Sequence, residues 1–239
     1  MNDKPLVSIV IPVWNHALEL ARCLESLKRQ TYPALEAIIV DDGSNDNPRA
    51  IVDATLMPFP VQSMRLETNR GAAAARNEGA RLAQGSYLLF ADADAAFVPN
   101  AVARLVETLT IHPEAAFAYS SFRFGWKRFS SRSFNAEALR RAPYIHTTAL
   151  IRRDAFPGFD VSLKKFQDWD LWLTIVERGG VGVWIPEKLF TLSVGRKGMS
   201  AWLPAFFHRL PWKWIGWMPE ELKTYRQWEK VVKEKHRME

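Results

Sequence analysis

Tyr87-Leu88-Leu89-Phe90-Ala91 runs directly into Asp92-Ala93-Asp94. Five apolar residues make a strand's length, and an apolar run without alternation suits a strand covered on both faces. Two carboxylates two positions apart, where such a strand leaves its sheet, can turn toward one ligand. The pattern recurs upstream. Leu6-Val7-Ser8-Ile9-Val10-Ile11 is a strand-like run ended by Pro12 and followed by Asn15, and Ala37-Ile38-Ile39-Val40 delivers Asp41-Asp42-Gly43-Ser44. Val61 to Leu66 reads as a further strand.

Helix-period segments lie between these runs. Leu20, Cys23, Leu24 and Leu27 share one helical face, and small residues form a helix from about Ala72 to Ala83 with Gly85 at its C-terminal end. Pro99 opens a helix carrying Val102, Leu105, Val106 and Leu109. Strand–helix alternation implies an α/β sheet with crossover helices. Ligands of such sheets bind outside the carboxyl ends of the strands, where Asn15, Asp41, Asp42, Asp92 and Asp94 collect.

A hydrophobic share of 48% and a charged share of 24% are those of a globular chain, not a disordered one. Cys23 is the only cysteine, which excludes an intramolecular disulfide and a cysteine zinc cluster and fits a reducing cytoplasm. Met1 to Pro5 lack the pattern of a secretory leader, and no uncharged apolar run reaches membrane-spanning length, so no span is expected. The net charge of +6 is uneven. Residues 196–239 hold ten Lys or Arg against five Glu, with Trp202, Trp212, Trp214, Trp217 and Trp228. That shift places a boundary near residue 195, with a catalytic domain over 1–195 and an aromatic, basic, helical extension over 196–239.

Each acidic motif has two readings. Asp92-Ala93-Asp94 suits a hard divalent cation, which takes carboxylates together with phosphate oxygens, and equally suits a solvated turn. A carboxylate at Asp42 only accepts hydrogen bonds, so it matches the imide N–H of uracil and meets a lone pair on cytosine; a plain β-turn also accounts for Asp41 to Ser44. In Asn69-Arg70-Gly71-Ala72-Ala73-Ala74-Ala75-Arg76-Asn77, small residues let backbone approach a ligand, and Arg76 can neutralise phosphate or brace the acidic turns. Tight packing of a helix on the sheet is the alternative.

Taken together, the stretches Val7 to Asn15, Val40 to Asp46, Asn69 to Asn77 and Gly85 to Asp94 occur in the order and spacing of the inverting family 2 glycosyltransferases, which the chain resembles over roughly residues 5 to 195. The resemblance implies the GT-A fold, a mixed, mostly parallel sheet flanked by helices. It implies that Asp42 binds the base, that Pro12, Val13 and Asn15 help hold the nucleotide, and that Arg76 lies beside it. Asp92 would contact the ribose, and Asp94 would ligate Mn²⁺ or Mg²⁺ on the diphosphate. Ala95 departs from relatives with another aspartate there. The catalytic base falls in Phe166-Gln167-Asp168-Trp169-Asp170, with Gln167 where many relatives have Glu. Asp168 is the expected base, ahead of Asp170. It also suits the N-cap of a helix running to about Arg178 and ended by Gly179-Gly180. His146, Arg196 and Lys197 are expected acceptor or phosphate contacts, whereas His16, His112, His208 and His236 read as surface residues.

The partners implied are a nucleotide-sugar donor, UDP favoured, and a saccharide or lipid-linked acceptor at the cytoplasmic side of a membrane. Tryptophans beside Lys and Arg in residues 202–217 suit peripheral membrane association, and packing on the domain suits them equally. No nucleic-acid-binding motif is present, so no nucleic-acid partner is expected. The stretch from Ser120 to Pro143, where Phe122, Trp126 and Phe129 alternate with Arg123, Lys127 and Arg128, reads as a loop setting acceptor choice, its charge suited to an anionic acceptor. Two competing classes remain. A sugar nucleotidyltransferase would carry a Gly-rich basic loop where Pro12-Val13-Trp14-Asn15-His16 stands, and a degenerate scaffold at the membrane accommodates Ala95 and Gln167.

Overall fold

The computed structural model describes residues 4–125, 127–129, 131–193 and 219–238. Strands β1 (Val7–Val13), β2 (Leu35–Asp41), β3 (Val61–Arg65), β4 (Tyr87–Phe90), β5 (Ala95–Phe97), β6 (Ala115–Phe124), β7 (Lys127–Phe129), β8 (Ala149–Arg152) and β9 (Val181–Leu192) form one sheet. Its order is β3-β2-β1-β4-β8-β6-β9-β5, with β7 paired to β6. Strands β3, β2, β1 and β4 are parallel, β8 is antiparallel to β4 and β6, β9 is parallel to β6, and β5 runs back along β9. The helices are α1 (Ala17–Lys28), α2 (Pro48–Ala54), α3 (Ala72–Leu82), α4 (Ala101–Ile111), α5 (Ala136–Arg141), α6 (Gln167–Glu177) and α7 (Glu220–Lys235).

Every residue of β1 is buried, which is why its sequence shows no polar face. Side chains still alternate. Ile9 and Ile11 face a core with Leu20, Leu24 and Leu27 of α1 and Val102 and Leu105 of α4. Val10, Ile38 and Val40 face a second core holding Ala73 and Ala75 of α3 and Trp169 and Trp172 of α6. Each fully buried leucine contributes about 1.5–3 kcal/mol, so the two faces together fix the register.

Several expected boundaries move. Pro12 lies inside β1 and does not end it. The Val10 carbonyl accepts from Ala91, so by the two-residue period Pro12 faces the same side, where β4 has finished and no N–H is called for. Helix α3 ends at Leu82, and Gly85 serves another purpose: a Cβ there would stand 2.6 Å from the Leu6 carbonyl oxygen. Gly79 lies inside α3, where a Cβ would stand 2.3 Å from Val10 Cγ1, so the helix rests unusually near the sheet. Asn100, not Pro99, precedes the first turn of α4. The stretch beginning at Ser120 opens with a hairpin of β6 and β7, with Phe122 opposite Phe129 and Arg123 opposite Arg128, and later holds α5.

The described part of the C-terminal segment packs on the domain. Leu222 and Val232 of α7 are fully buried, and Trp228 packs against the core that holds Trp169. Trp126 and residues 202–217 lie outside the described residues. His236, expected at the surface, is 4% exposed. Its Nε2 lies 2.9 Å from Asp170 and its Nδ1 3.0 Å from Glu177, the latter within ion-pair reach but out of hydrogen-bond alignment. Lys235 Nζ adds 2.7 Å contacts to Asp160 and Asp170. No helix among the described residues is long and apolar enough to cross a membrane.

Burial opposes the charge on His236, but Asp170 and Glu177 outweigh it and hold its pKa above the ordinary histidine value. A raised histidine stabilises fully below its unfolded value of about 6.5, and that contribution disappears as pH rises through the folded value. The thermal-midpoint advantage of the native chain over His236→Gln should therefore shrink as pH is raised from about 6 to about 9. An advantage that grows with pH would refute the charged assignment.

Candidate active site

Strands β2, β1 and β4 are neighbours and parallel, so their carboxyl ends share one edge. The backbone N–H of Asn15, just beyond β1, donates to Ser44 Oγ, while its Oδ1 accepts from Asn45 N–H, which ties the first two loops together. Asn15 adopts φ +56°, a left-handed conformation that Asn tolerates better than most residues. The Val13 carbonyl accepts from Asp42 N–H. Pro12 and Val13 are buried in the strand leading to this junction.

The two aspartates after β2 have separate tasks. Asp41 accepts from Ser44 N–H and from Arg65 of β3, so it fastens its own turn. Asp42 is 2% exposed, and its two oxygens accept the backbone N–H groups of Arg70 (2.7 Å) and Gly71 (2.8 Å). That carboxylate draws the Asn69–Gly71 loop onto the strand edge and starts α3 above it. Each oxygen retains a lone pair.

Arg76, 7% exposed, projects from α3 into the next junction. One guanidinium nitrogen is 2.7 Å from Asp92 Oδ1, another donates to Gln167 Oε1 at 3.3 Å, and the group lies over the Phe159 ring. Gln167 opens α6, so a single side chain joins the Asp-Ala-Asp turn to that helix. With Gln there, Arg76 has one carboxylate partner and one neutral one. Its Nε is buried without a partner.

Burial pushes Asp92 upward, but Arg76 and His146 outweigh it and hold its carboxyl below the ordinary range. Asp94 behaves oppositely. Burial and the neighbouring Asp92 push it up to about 6. Among the described residues no other side chain donates to it. Ala95 is buried at the start of β5, in the apolar core, so no extra carboxylate supports the turn. Among the described residues no three His, Cys, Asp or Glu cluster as a metal cage. An uncompensated carboxylate suits a cation that completes its shell with phosphate and water, as Mg²⁺ does. On donor chemistry the turn therefore fits Mn²⁺ or Mg²⁺.

His146 lies in the segment entering β8. This strand runs antiparallel to β4, so its beginning meets β4's carboxyl end. Trp172 Nε1 donates to the Ile145 carbonyl, which fixes the preceding residue against α6. The ring packs on Phe122 and Phe190. Nδ1 accepts from Thr148 N–H, so the proton of the neutral ring sits on Nε2, 3.8 Å from Asp92 Oδ2. Burial holds His146 below the ordinary histidine range, against the pull of Asp92 and Asp168.

Asp168 is half-buried in the first turn of α6, beside His146. The N-cap is Phe166 in a left-handed conformation, so Asp168 is not the cap. Its carboxylate accepts from the adjacent Trp169 N–H and, among the described residues, from no side chain. A helix N-terminus favours ionisation, yet burial prevails over His146 and the backbone bonds and raises Asp168 above the ordinary range. Asp170, two residues on, is buried and committed to Lys235 and His236. Asn15, Asp42, Arg76, Asp92, Asp94, His146 and Asp168 thus share one edge, while Arg196 and Lys197 lie outside the described residues. Tyr225, whose ring packs on Phe166, is a site neighbour that sequence patterns alone leave unmarked.

The edge and its carboxylates define a GT-A-type nucleotide-sugar transferase fold. S. aureus TarS in complex with UDP superposes with a TM-score of 0.71 over 80% of this chain and 61% of its own, at 18% identity. The mannosyltransferase PcManGT from Pyrobaculum calidifontis, in complex with GDP-Man and Mn²⁺, gives 0.70 over 84% and 60%, at 22% identity. The chain belongs to glycosyl transferase family 2, whose model matches residues 8–161. An uncharacterised glycosyltransferase of Haemophilus influenzae is 31% identical over 186 residues, 72% of this chain and 62% of that protein. Chondroitin synthase of Escherichia coli is 29% identical over 190 residues, 73% of this chain and 27% of that protein. The chain thus spans under two thirds of these relatives.

Removing one partner of a buried ion pair costs about 3–5 kcal/mol. Arg76→Met should lose stability on that scale in urea unfolding. Arg76→Lys should recover part of it, because an ammonium reaches Asp92 but lacks the fork that also serves Gln167.

Proposed function

We propose that the chain is an inverting glycosyltransferase that moves a sugar from a nucleoside-diphosphate sugar, UDP favoured, to a hydroxyl of a saccharide or lipid-linked acceptor in surface-glycan synthesis. One observation carries the reading: the buried His146 ring lies 3.8 Å from Asp92, on the donor side, and feels the charge of Asp168, on α6. Donor and acceptor chemistry therefore meet at one place. Asp42 binds the base, with Pro12, Val13 and Asn15 shaping that end. Asp92 holds the ribose, and Arg76 keeps Asp92 ionised beside the diphosphate.

Asp168 accepts the proton of the acceptor hydroxyl while that oxygen attacks the anomeric carbon. The bond to the diphosphate breaks with its electron pair leaving on the phosphate oxygen, so the configuration inverts. Its raised pKa brings its basicity nearer neutral pH, where general bases work best. Asp94 would hold Mn²⁺ or Mg²⁺, which when bound supplies positive charge to the departing diphosphate. His146 keeps its Nε2 proton, so it offers a donor at the sugar without adding charge. Residues 1–195 form the catalytic unit. The aromatic and basic composition of residues 202–217 supports a peripheral membrane site for the acceptor, with Arg196 and Lys197 contributing phosphate contacts.

A thermal-shift screen of UDP-, GDP- and dTDP-sugars with Mn²⁺ or Mg²⁺ tests the donor assignment; no shift with any of them would overturn it. Asp94→Ala should abolish metal-dependent release of nucleoside diphosphate. Asp168→Asn should lower turnover by about 10²–10⁴-fold with donor binding kept. Because the base must be ionised, turnover should rise with pH through a limb above the ordinary aspartate range, and that limb should vanish in Asp168→Asn.

A further inference from the structure

The first turn of α6 is held from outside. Phe166 sits at φ +60° without a side-chain cap, a conformation few aromatic residues adopt. Its ring meets Tyr225 of α7 edge-on, with centroids 4.8 Å apart. Gln167 is fixed by Arg76 and by its own bond to the Leu163 carbonyl. Trp169 Nε1 donates to the Leu139 carbonyl. Asp170 is gripped by Lys235 and His236 at the far end of α7. Asp168, in the middle, has no side-chain hydrogen-bond partner among the described residues and accepts from the backbone N–H of Trp169, so it inherits its position from the residues on either side.

We propose that α7 is a positioning element of the active site: through Tyr225, Lys235 and His236 it clamps the first turn of α6 and thereby sets where the Asp168 carboxylate stands. This rests on Asp168 being the base. Two of the four fixed neighbours of Asp168 owe part of their fixation to α7. The same imidazole also meets Glu177, two turns along α6 from Asp170, so the clamp acts along the helix and not at one point. The nucleotide end is fastened separately, by Asp42 to the Arg70 and Gly71 amides. Loosening α7 should therefore disturb the acceptor step and spare donor binding.

The test measures hydrolysis of UDP-GlcNAc and GDP-mannose with Mn²⁺ by the full chain and its Tyr225→Ala, Tyr225→Phe, His236→Gln and Asp168→Asn variants. Misplacement of a base by about 1 Å costs up to about 100-fold. Tyr225→Ala and His236→Gln should lower kcat by about 10- to 100-fold with donor KM changed less than about two-fold, and Tyr225→Phe should restore most of the rate. Tyr225 is half-buried, so its variants keep the proposal testable if His236→Gln fails to fold. Unchanged kcat in Tyr225→Ala, or kcat and KM falling together with the thermal midpoint, would overturn the positioning role. Equal losses in Tyr225→Phe and Tyr225→Ala would also overturn it, since the hydroxyl and not the ring packing would then act. Full turnover in Asp168→Asn, or no sugar-nucleotide turnover or binding by the native chain, would instead remove the transferase reading on which the proposal rests.

Discussion

The contact between the Arg76 guanidinium and Asp92, 2.7 Å long and mostly shielded from water, joins parts of the chain that have no other reason to meet. A carboxylate in that environment would take up a proton if left alone, and an unpaired guanidinium would be costly to bury. Each makes the other tolerable. The cost of separating them fixes α3 against the end of β4, and the hydrogen bond to Gln167 extends that constraint to α6. The carboxylates then divide by environment: Asp92 stays ionised, while Asp94 and Asp168 are pushed toward neutrality. Such divergence between neighbouring groups is how one cleft assigns different tasks to the same functional group.

Apolar packing places the remaining groups. Trp169 and Trp172 are wholly buried, with both indole N–H groups bonded to carbonyls of the 139–145 segment, and Trp172 stacks on Phe117 of β6. These bonds satisfy the indoles and bring His146 to α6. On its other side the imidazole rests on the nearly parallel rings of Phe122 and Phe190. The ring is kept neutral because the walls around it are aromatic, which no inspection of its immediate sequence neighbours would reveal.

The parallel half of the sheet is legible in the sequence because β1, β2 and β4 are continuous apolar runs, each ended by polar residues, and such runs have few other uses. That regularity places Asn15, Asp42, Asp92 and Asp94 at one edge before any coordinates are seen. Legibility fails where partners are remote. His236 reads as a surface residue because Asp170, its partner, is 66 positions away. Helix α6 begins two residues earlier than a polar cap at Asp168 would allow, because tertiary contacts sustain an uncapped aromatic at its start. The three residues of β5 are too few to show a period. The β6–β7 hairpin did leave a signal, the strict alternation of Phe122, Arg123 and Phe124, which is a strand's period and not a loop's.

Gly79 has no chemistry of its own, yet it governs the reach of a residue that does. Without a methyl group there, α3 sinks between Val10 and Val40, and Arg76, one turn earlier, gains the depth to touch both Asp92 and Gln167. Any larger side chain would act as a shim under the helix, lifting the guanidinium off its anchors while leaving every polar residue of the cleft unaltered. The cleft's capacity to hold charge is thus decided partly by an absent carbon atom on the buried side of a helix, away from any substrate.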